Sequence, residues 1–106
     1  MPAVFAARRQ ALLDRLLPNS AVIVPGHDLT IRNSDVDHRF RQRSDLWFLT
    51  GFVEPESCAV LRSAHGEHAA RLSMFVRPRD PERETWNGRR AGLDGAKASY
   101  GADEAF

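Results

Sequence analysis

The run Phe40-Arg41-Gln42-Arg43-Ser44-Asp45-Leu46-Trp47-Phe48-Leu49-Thr50-Gly51-Phe52 constrains this chain more than any other stretch. A basic, hydrogen-bonding entrance leads into the densest apolar segment of the sequence, Leu46 to Phe52. So much aliphatic and aromatic surface is costly to leave in water, so the segment is expected in the core, its aromatics included. Ser44 or Asp45 can cap a short helix, and Gly51 stands where a left-handed residue would end it. A buried strand of similar length fits the same apolar run. The helix is the preferred reading.

On either side of this run the pattern alternates between helix and strand. Phe5, Leu12, Leu13, Leu16 and Leu17 share one helical stripe, with Arg8, Gln10, Asp14 and Arg15 opposite, so an amphipathic helix is expected to run up to Pro18. Ala21-Val22-Ile23-Val24 is a short continuous apolar run, the pattern of a strand covered on both faces, and Pro25-Gly26 ends it. Residues 27–39 are polar and irregular. Ser57 to Arg62 and Arg71 to Val76 read as strands joined by a loop over 63–70. Asp80-Pro81 is a helix start, aspartate as N-cap and proline in the first turn, and Asn87-Gly88 stops that helix. Asp94 can open another short helix that closes near Gly101, and Asp103 to Phe106 reads as the first turn of a further one. Mixed elements around central apolar strands predict a three-layer α/β domain, a mixed sheet flanked by helices.

With 106 residues the chain is expected to be one domain, burying roughly 65% of its unfolded surface. Fifteen basic residues against fourteen acidic ones give a net charge of +1. That balance argues against nucleic acid or a membrane surface as partner, although Arg39, Arg41 and Arg43 alternate as a strand face would. The single cysteine, Cys58, has no internal disulfide partner and reads as a small core residue. There is no long apolar run and no secretory signal pattern, so a cytoplasmic location is expected.

The residues do not assemble a catalytic centre on their own. His65-Gly66-Glu67-His68 has the wrong spacing for the helical zinc motif, and its glycine makes a turn. Asp35 and Asp37 alternate across Val36, so an extended chain would point both carboxylates the same way. With no third ligand nearby, a solvated loop is the simpler reading. Arg89-Arg90 is either an anion site or a solvated pair, and the solvated pair is preferred. No catalytic residue and no metal ligand is assigned.

The central run, followed by Glu54-Pro55-Glu56, resembles the signature of the N-terminal domain of the aminopeptidase P (Xaa-Pro aminopeptidase) family, which is creatinase- and prolidase-like. The resemblance runs back to Arg8-Arg9-Gln10-Ala11-Leu12 and forward through Phe75-Val76-Arg77-Pro78-Arg79-Asp80 to Glu84-Thr85-Trp86-Asn87-Gly88-Arg89-Arg90-Ala91-Gly92. Each piece alone is weak; the ordered set is specific. It implies the same mixed sheet flanked by helices, and it implies that residues 1–106 are an incomplete N-terminal domain, a fragment or truncated product without the catalytic domain. In that family a C-terminal "pita-bread" domain holds two metal ions, usually manganese, that activate the water attacking an Xaa-Pro bond. The resemblance places all of those ligands beyond this chain, which is expected to bind no cofactor and to be inactive alone.

Two substrate-binding positions follow from the resemblance. Trp86 resembles a tryptophan lining the substrate pocket, where a rigid apolar plate suits a proline ring; a core tryptophan at a helix end is the alternative. Asp35 resembles an aspartate that reaches the active site of a neighbouring subunit and could meet a peptide's free amino terminus, although Asp37 could be the counterpart. The implied function is substrate specificity and oligomerisation for a manganese-dependent Xaa-Pro aminopeptidase. The implied partners are the catalytic domain, neighbouring subunits and a peptide with proline second. The other reading is a non-catalytic protein-interaction module on the same fold.

Overall fold

The structure, a computed structural model, describes residues 3–27, 31–33, 36–37, 41–64 and 69–106. Along them the chain runs α1 (Ala3–Leu13), β1 (Ala21–Pro25), β2 (Ile31–Asn33), β3 (Val36–Asp37), α2 (Ser44–Thr50), β4 (Cys58–Arg62), β5 (Arg71–Phe75), α3 (Pro81–Asn87), α4 (Gly92–Tyr100) and β6 (Glu104–Ala105). Strands β1, β4 and β5 pair antiparallel, and β6 joins β5 in parallel, giving a mixed sheet in the order β1-β4-β5-β6. Strands β2 and β3 form a separate antiparallel pair. The mixed sheet flanked by helices is the architecture expected from the sequence.

Register places Val22, Leu61 and Leu72 side by side, and Val24, Ala59, Met74 and Ala105 in the next row of the same face. This is the core face. Leu46, Leu49 and Phe52 cover it from the α2 region, Leu12 and Leu13 from α1, and Ala96 and Tyr100 from α4. The other face carries Ile23, Val60, Ser73 and Glu104 in one row. Ile23 is 70% exposed there. Strand β1 is thus an edge strand with one wet face, and its continuous apolar run did not signal cover on both sides. No helix among the described residues is long and apolar enough to cross a membrane.

Helix α2 forms as the central run predicts, and Gly51 ends it at φ 73° with its N–H donating to Trp47 O at 2.8 Å. The glycine is needed twice over. A Cβ at Gly51 would also meet the Phe5 ring at 2.7 Å. Neither Ser44 nor Asp45 caps the helix; Arg43 is the N-cap residue and makes no side-chain capping bond. The aromatics divide between core and surface: Phe52 is buried, whereas Trp47 and Phe48 are 47% and 50% exposed. A short helix lying on a sheet has an outer side, and these two residues are on it.

Helix α1 answers the other end of α2. Arg9 Nη1 donates to Leu49 O at 2.9 Å and Arg8 Nη1 to Phe48 O at 3.2 Å, so two cations meet the carbonyls that a helix C-terminus leaves open. Arg9 is buried; desolvation pushes its pKa down, and the charge of Asp103 pushes it back up. Helix α1 stops at Leu13 rather than continuing to Pro18, because Arg15 N and Leu16 N turn to i−3 carbonyls at Leu12 and Leu13. Leu17, expected on the apolar stripe, is exposed.

The segment 103–106 is extended along β5, with β6 at its centre, rather than a helical turn. Asp103 uses its side chain as a sheet partner, with Oδ2 accepting from Leu72 N at 2.7 Å and its own N–H donating to Leu72 O at 2.8 Å. Phe106 N donates to Met74 O, Val76 N donates to Phe106 O, and the Phe106 ring stacks on Phe75 at 5.2 Å. Helix α4 begins at Gly92, so Asp94 sits in its first turn rather than at its cap.

Candidate functional site around Trp86

The chain leaves β5 through Val76-Arg77-Pro78-Arg79 and turns at Asp80 into α3. The start is as expected: Asp80 Oδ1 accepts from Arg83 N at 3.2 Å, and Pro81 fills the first turn, where its missing N–H costs nothing. Thr85 Oγ1 donates to Pro81 O at 2.9 Å, and Gly88 N closes the helix on Glu84 O at 3.0 Å. No described apolar side chain of α3 is buried; the side chain the helix does bury is the Glu84 carboxylate, 8% exposed. Trp86 is 85% exposed, so it is not a core tryptophan in this chain.

Two carboxylates hold the ground on which Trp86 stands. Glu84 Oε2 accepts from Asp80 N at 2.8 Å and its Oε1 from Arg90 N at 2.7 Å, while Arg79 Nε lies 2.9 and 3.1 Å from the two oxygens. Glu54 Oε2 accepts from the next amide, Ala91 N, at 2.8 Å, and Arg77 Nη2 stands 3.5 Å from Glu54 Oε1. Arg77 and Arg79, alternate residues of one extended segment, each back the carboxylate that takes one of two successive amides. Arg90, expected to be a solvated cation, is only 7% exposed and donates from Nη1 to Pro78 O at 3.2 Å. Glu54 is anchored in turn: its carbonyl accepts from Gln42 Nε2 at 2.8 Å and Ser57 Oγ at 3.0 Å. The bond from the Arg90 N–H, then those from Arg79 and the Asp80 N–H, outweigh desolvation and hold the Glu84 carboxyl down to about 2.

Close packing seals this arrangement. Gly92 has φ 71°, and a Cβ there would meet Arg79 Cγ at 2.6 Å. Three buried side-chain atoms, Glu54 Oε1, Arg77 Nε and Arg90 Nε, have no hydrogen-bond partner among the described residues, although Glu54 Oε1 keeps its ion pair with Arg77.

The remaining sequence candidates lie elsewhere. Asp35 and His65 to His68 fall outside the described residues. Asp37 is placed only as backbone, opposite Ile31. Burial pushes the Cys58 thiol up, away from a reactive thiolate. Among the described residues no three His, Cys, Asp or Glu side chains gather as a metal ion requires, so they do not fit a manganese pair. A second surface lies on α2, where a groove of about 640 Å³ is lined by Arg41, Ser44, Asp45, Trp47, Phe48 and Val53. Arg8 stacks over the Phe48 ring at 4.2 Å from its centroid.

A family model described as "Aminopeptidase P, N-terminal domain" matches residues 5–106. The chain belongs to this family. The Xaa-Pro aminopeptidase of Escherichia coli is 40% identical over 102 residues, covering 96% of this chain and 23% of that protein. The structure of Pseudomonas aeruginosa aminopeptidase PepP matches with a TM-score of 0.89 at 50% identity, over 100% of this chain and 24% of that one. Aminopeptidase P from E. coli, solved with the inhibitor Pro-Leu, matches with a TM-score of 0.91 at 39% identity, over 97% and 23%. The chain therefore spans about a quarter of the length of the proteins it matches.

Within this aminopeptidase P N-terminal domain, sequence reasoning singled out Trp86 but missed its supports. Glu54 and Glu84 both lie in the segments that carry the resemblance, but neither stands out there as a support. The available signal was the alternation of Arg77 and Arg79 across Pro78, two cations on one side of an extended chain that need counter-charges.

Proposed function

We propose that this chain is the substrate-specificity and oligomer-forming part of a manganese-dependent, cytoplasmic Xaa-Pro aminopeptidase, which removes the residue preceding a proline at the second position of a peptide. Trp86 carries the reading. It is 85% exposed on a helix whose two ends are tied down by Glu84, so packing in this chain does not account for a large apolar ring at that place. A fixed, flat indole suits a proline ring, which offers apolar contact without a flexible side chain to order. The metal chemistry belongs to a catalytic domain of the longer enzyme, and this chain's part is binding. Asp35 is proposed to act across a subunit boundary on the substrate's free amino group, the charge partner that an aminopeptidase needs.

In the longer enzyme, Trp86→Ala is expected to cost several-fold in kcat/KM for an Xaa-Pro peptide, on the order of 1 kcal/mol, with folding intact. Wild-type kinetics from the folded variant would refute the assignment. Asp35→Asn is expected to impair turnover without loss of metal. Mixing that variant with a metal-ligand variant should then restore part of the activity through hybrid oligomers. Failure to recover, with exchange verified, would confine Asp35 to its own subunit or remove it from the site.

A further inference from the structure

We propose that Glu84, backed by Arg79, is a positioning residue that sets where the Trp86 indole stands. The inference rests on the reading of Trp86 as a substrate wall, but it concerns how the wall is held. Seven residues of helix are far too few to be stable alone in water, and α3 contributes no described side chain to the core. Something other than apolar burial must keep it ordered. Asp80 precedes α3 and Arg90 follows it, and the Glu84 carboxylate accepts from both backbone N–H groups. One side chain thus bridges the entrance and exit of the segment that carries Trp86. Arg79 neutralises its charge through Nε and orients its plane through contacts to both oxygens.

The indole adds nothing of its own to this hold. Among the described residues Trp86 takes part in no side-chain hydrogen bond, aromatic pair or cation–π contact, so its place in space follows from its backbone. The second pair, Arg77 with Glu54, fixes the adjoining amide of Ala91 and ties the segment leaving α3 to the turn at Glu54. An amide in place of the Glu84 carboxylate would keep the size but turn an N–H₂ donor toward Asp80 N or Arg90 N, both donors themselves. The bridge would then lose one end.

The test uses the two tryptophans of the chain. With Trp47→Phe, Trp86 is the sole emitter, and its time-resolved fluorescence anisotropy reports nanosecond motion of the indole. Glu84→Gln is expected to enlarge the fast component and lower the residual anisotropy. Arg79→Lys, which keeps the charge and the aliphatic stem but loses Nε, is expected to do the same to a smaller degree, and it decides the matter if Glu84→Gln does not fold. In the converse background, Trp86→Phe, the emission of Trp47 on α2 should be unaffected by either change. Unchanged Trp86 motion would overturn the proposal, and so would equal loosening at Trp47, because the carboxylate would then be serving the fold as a whole. In the longer enzyme, Glu84→Gln should raise KM for an Xaa-Pro peptide with kcat little changed. Looser Trp86 with unaltered KM would leave the positioning role standing and remove Trp86 from the substrate site.

Discussion

Helices α2 and α3 are each seven residues long, each carries an exposed tryptophan, and they are held by opposite means. Helix α2 has no side-chain cap at its start and buries Leu46, Leu49 and Thr50 against the sheet. Helix α3 buries none of its described apolar side chains, but it has an aspartate cap, a first-turn proline and a carboxylate bridging its flanks. Burial makes a side-chain cap at the start dispensable in the first, whose end is met by Arg8 and Arg9, and directed charge-assisted bonds make apolar burial dispensable in the second. The two also differ in what can disturb them. Apolar burial is indifferent to protons, whereas a carboxylate bridge is not.

The sharpest way to break this contrast is Leu46→Ala. The residue is fully buried, and its loss should cost about 2–5 kcal/mol of global stability in urea or thermal unfolding. A much smaller cost would mean that α2 is not held by its buried face. Next in size is Arg9→Met, which keeps an apolar stem but leaves the buried Leu49 carbonyl without its donor. It should cost ~1–3 kcal/mol in the same melts, and a neutral result would show that water replaces the guanidinium.

The acid response should separate the two helices. The Glu84 carboxyl is held at about 2 in the folded chain against an ordinary 4.5, so the stability it adds is present above about 4.5 and is lost as pH falls toward 2. Glu104, lowered chiefly by its bond from Arg71, adds a second dependence of the same sign at β6. Protection of the α3 amides, taken relative to their intrinsic exchange rate at each pH, should therefore fall on acidification before that of α2, and Glu84→Gln should abolish the α3 part while leaving that of β6. Parallel loss in both helices would undo the distinction. The smallest effect is that of Trp86→Ala on folding, within about 0.5 kcal/mol, because the ring covers almost nothing in this chain.

What the sequence made legible was local. Gly51 as a helix stop, Asp80-Pro81 as a start and the pair of strands near 58–62 and 71–76 all follow from neighbours within a few positions. What it hid depends on distant partners. Arg9 is buried because a carbonyl 40 residues away receives it, and Arg90 because Pro78 O does. Asp103 to Phe106 looked like the first turn of a helix, since a carboxylate there can take a backbone N–H locally as well as from β5. The apolar density of Leu46 to Phe52 marked the segment as central without saying that Trp47 and Phe48 face outward. Trp86 was legible only through family resemblance, because an exposed tryptophan leaves no periodic trace.

The parallel pairing of β6 with β5 has a consequence in time. Strand β5 gains its second neighbour only when Asp103 meets Leu72, a partner 31 positions earlier. At ribosomal speeds of ~5–20 residues per second, that edge stays open for roughly two to six seconds during synthesis. Everything needed to secure α3 internally, from Arg79 to Arg90, is made within that interval. The helix bearing Trp86 can therefore be set before β6 has joined β5.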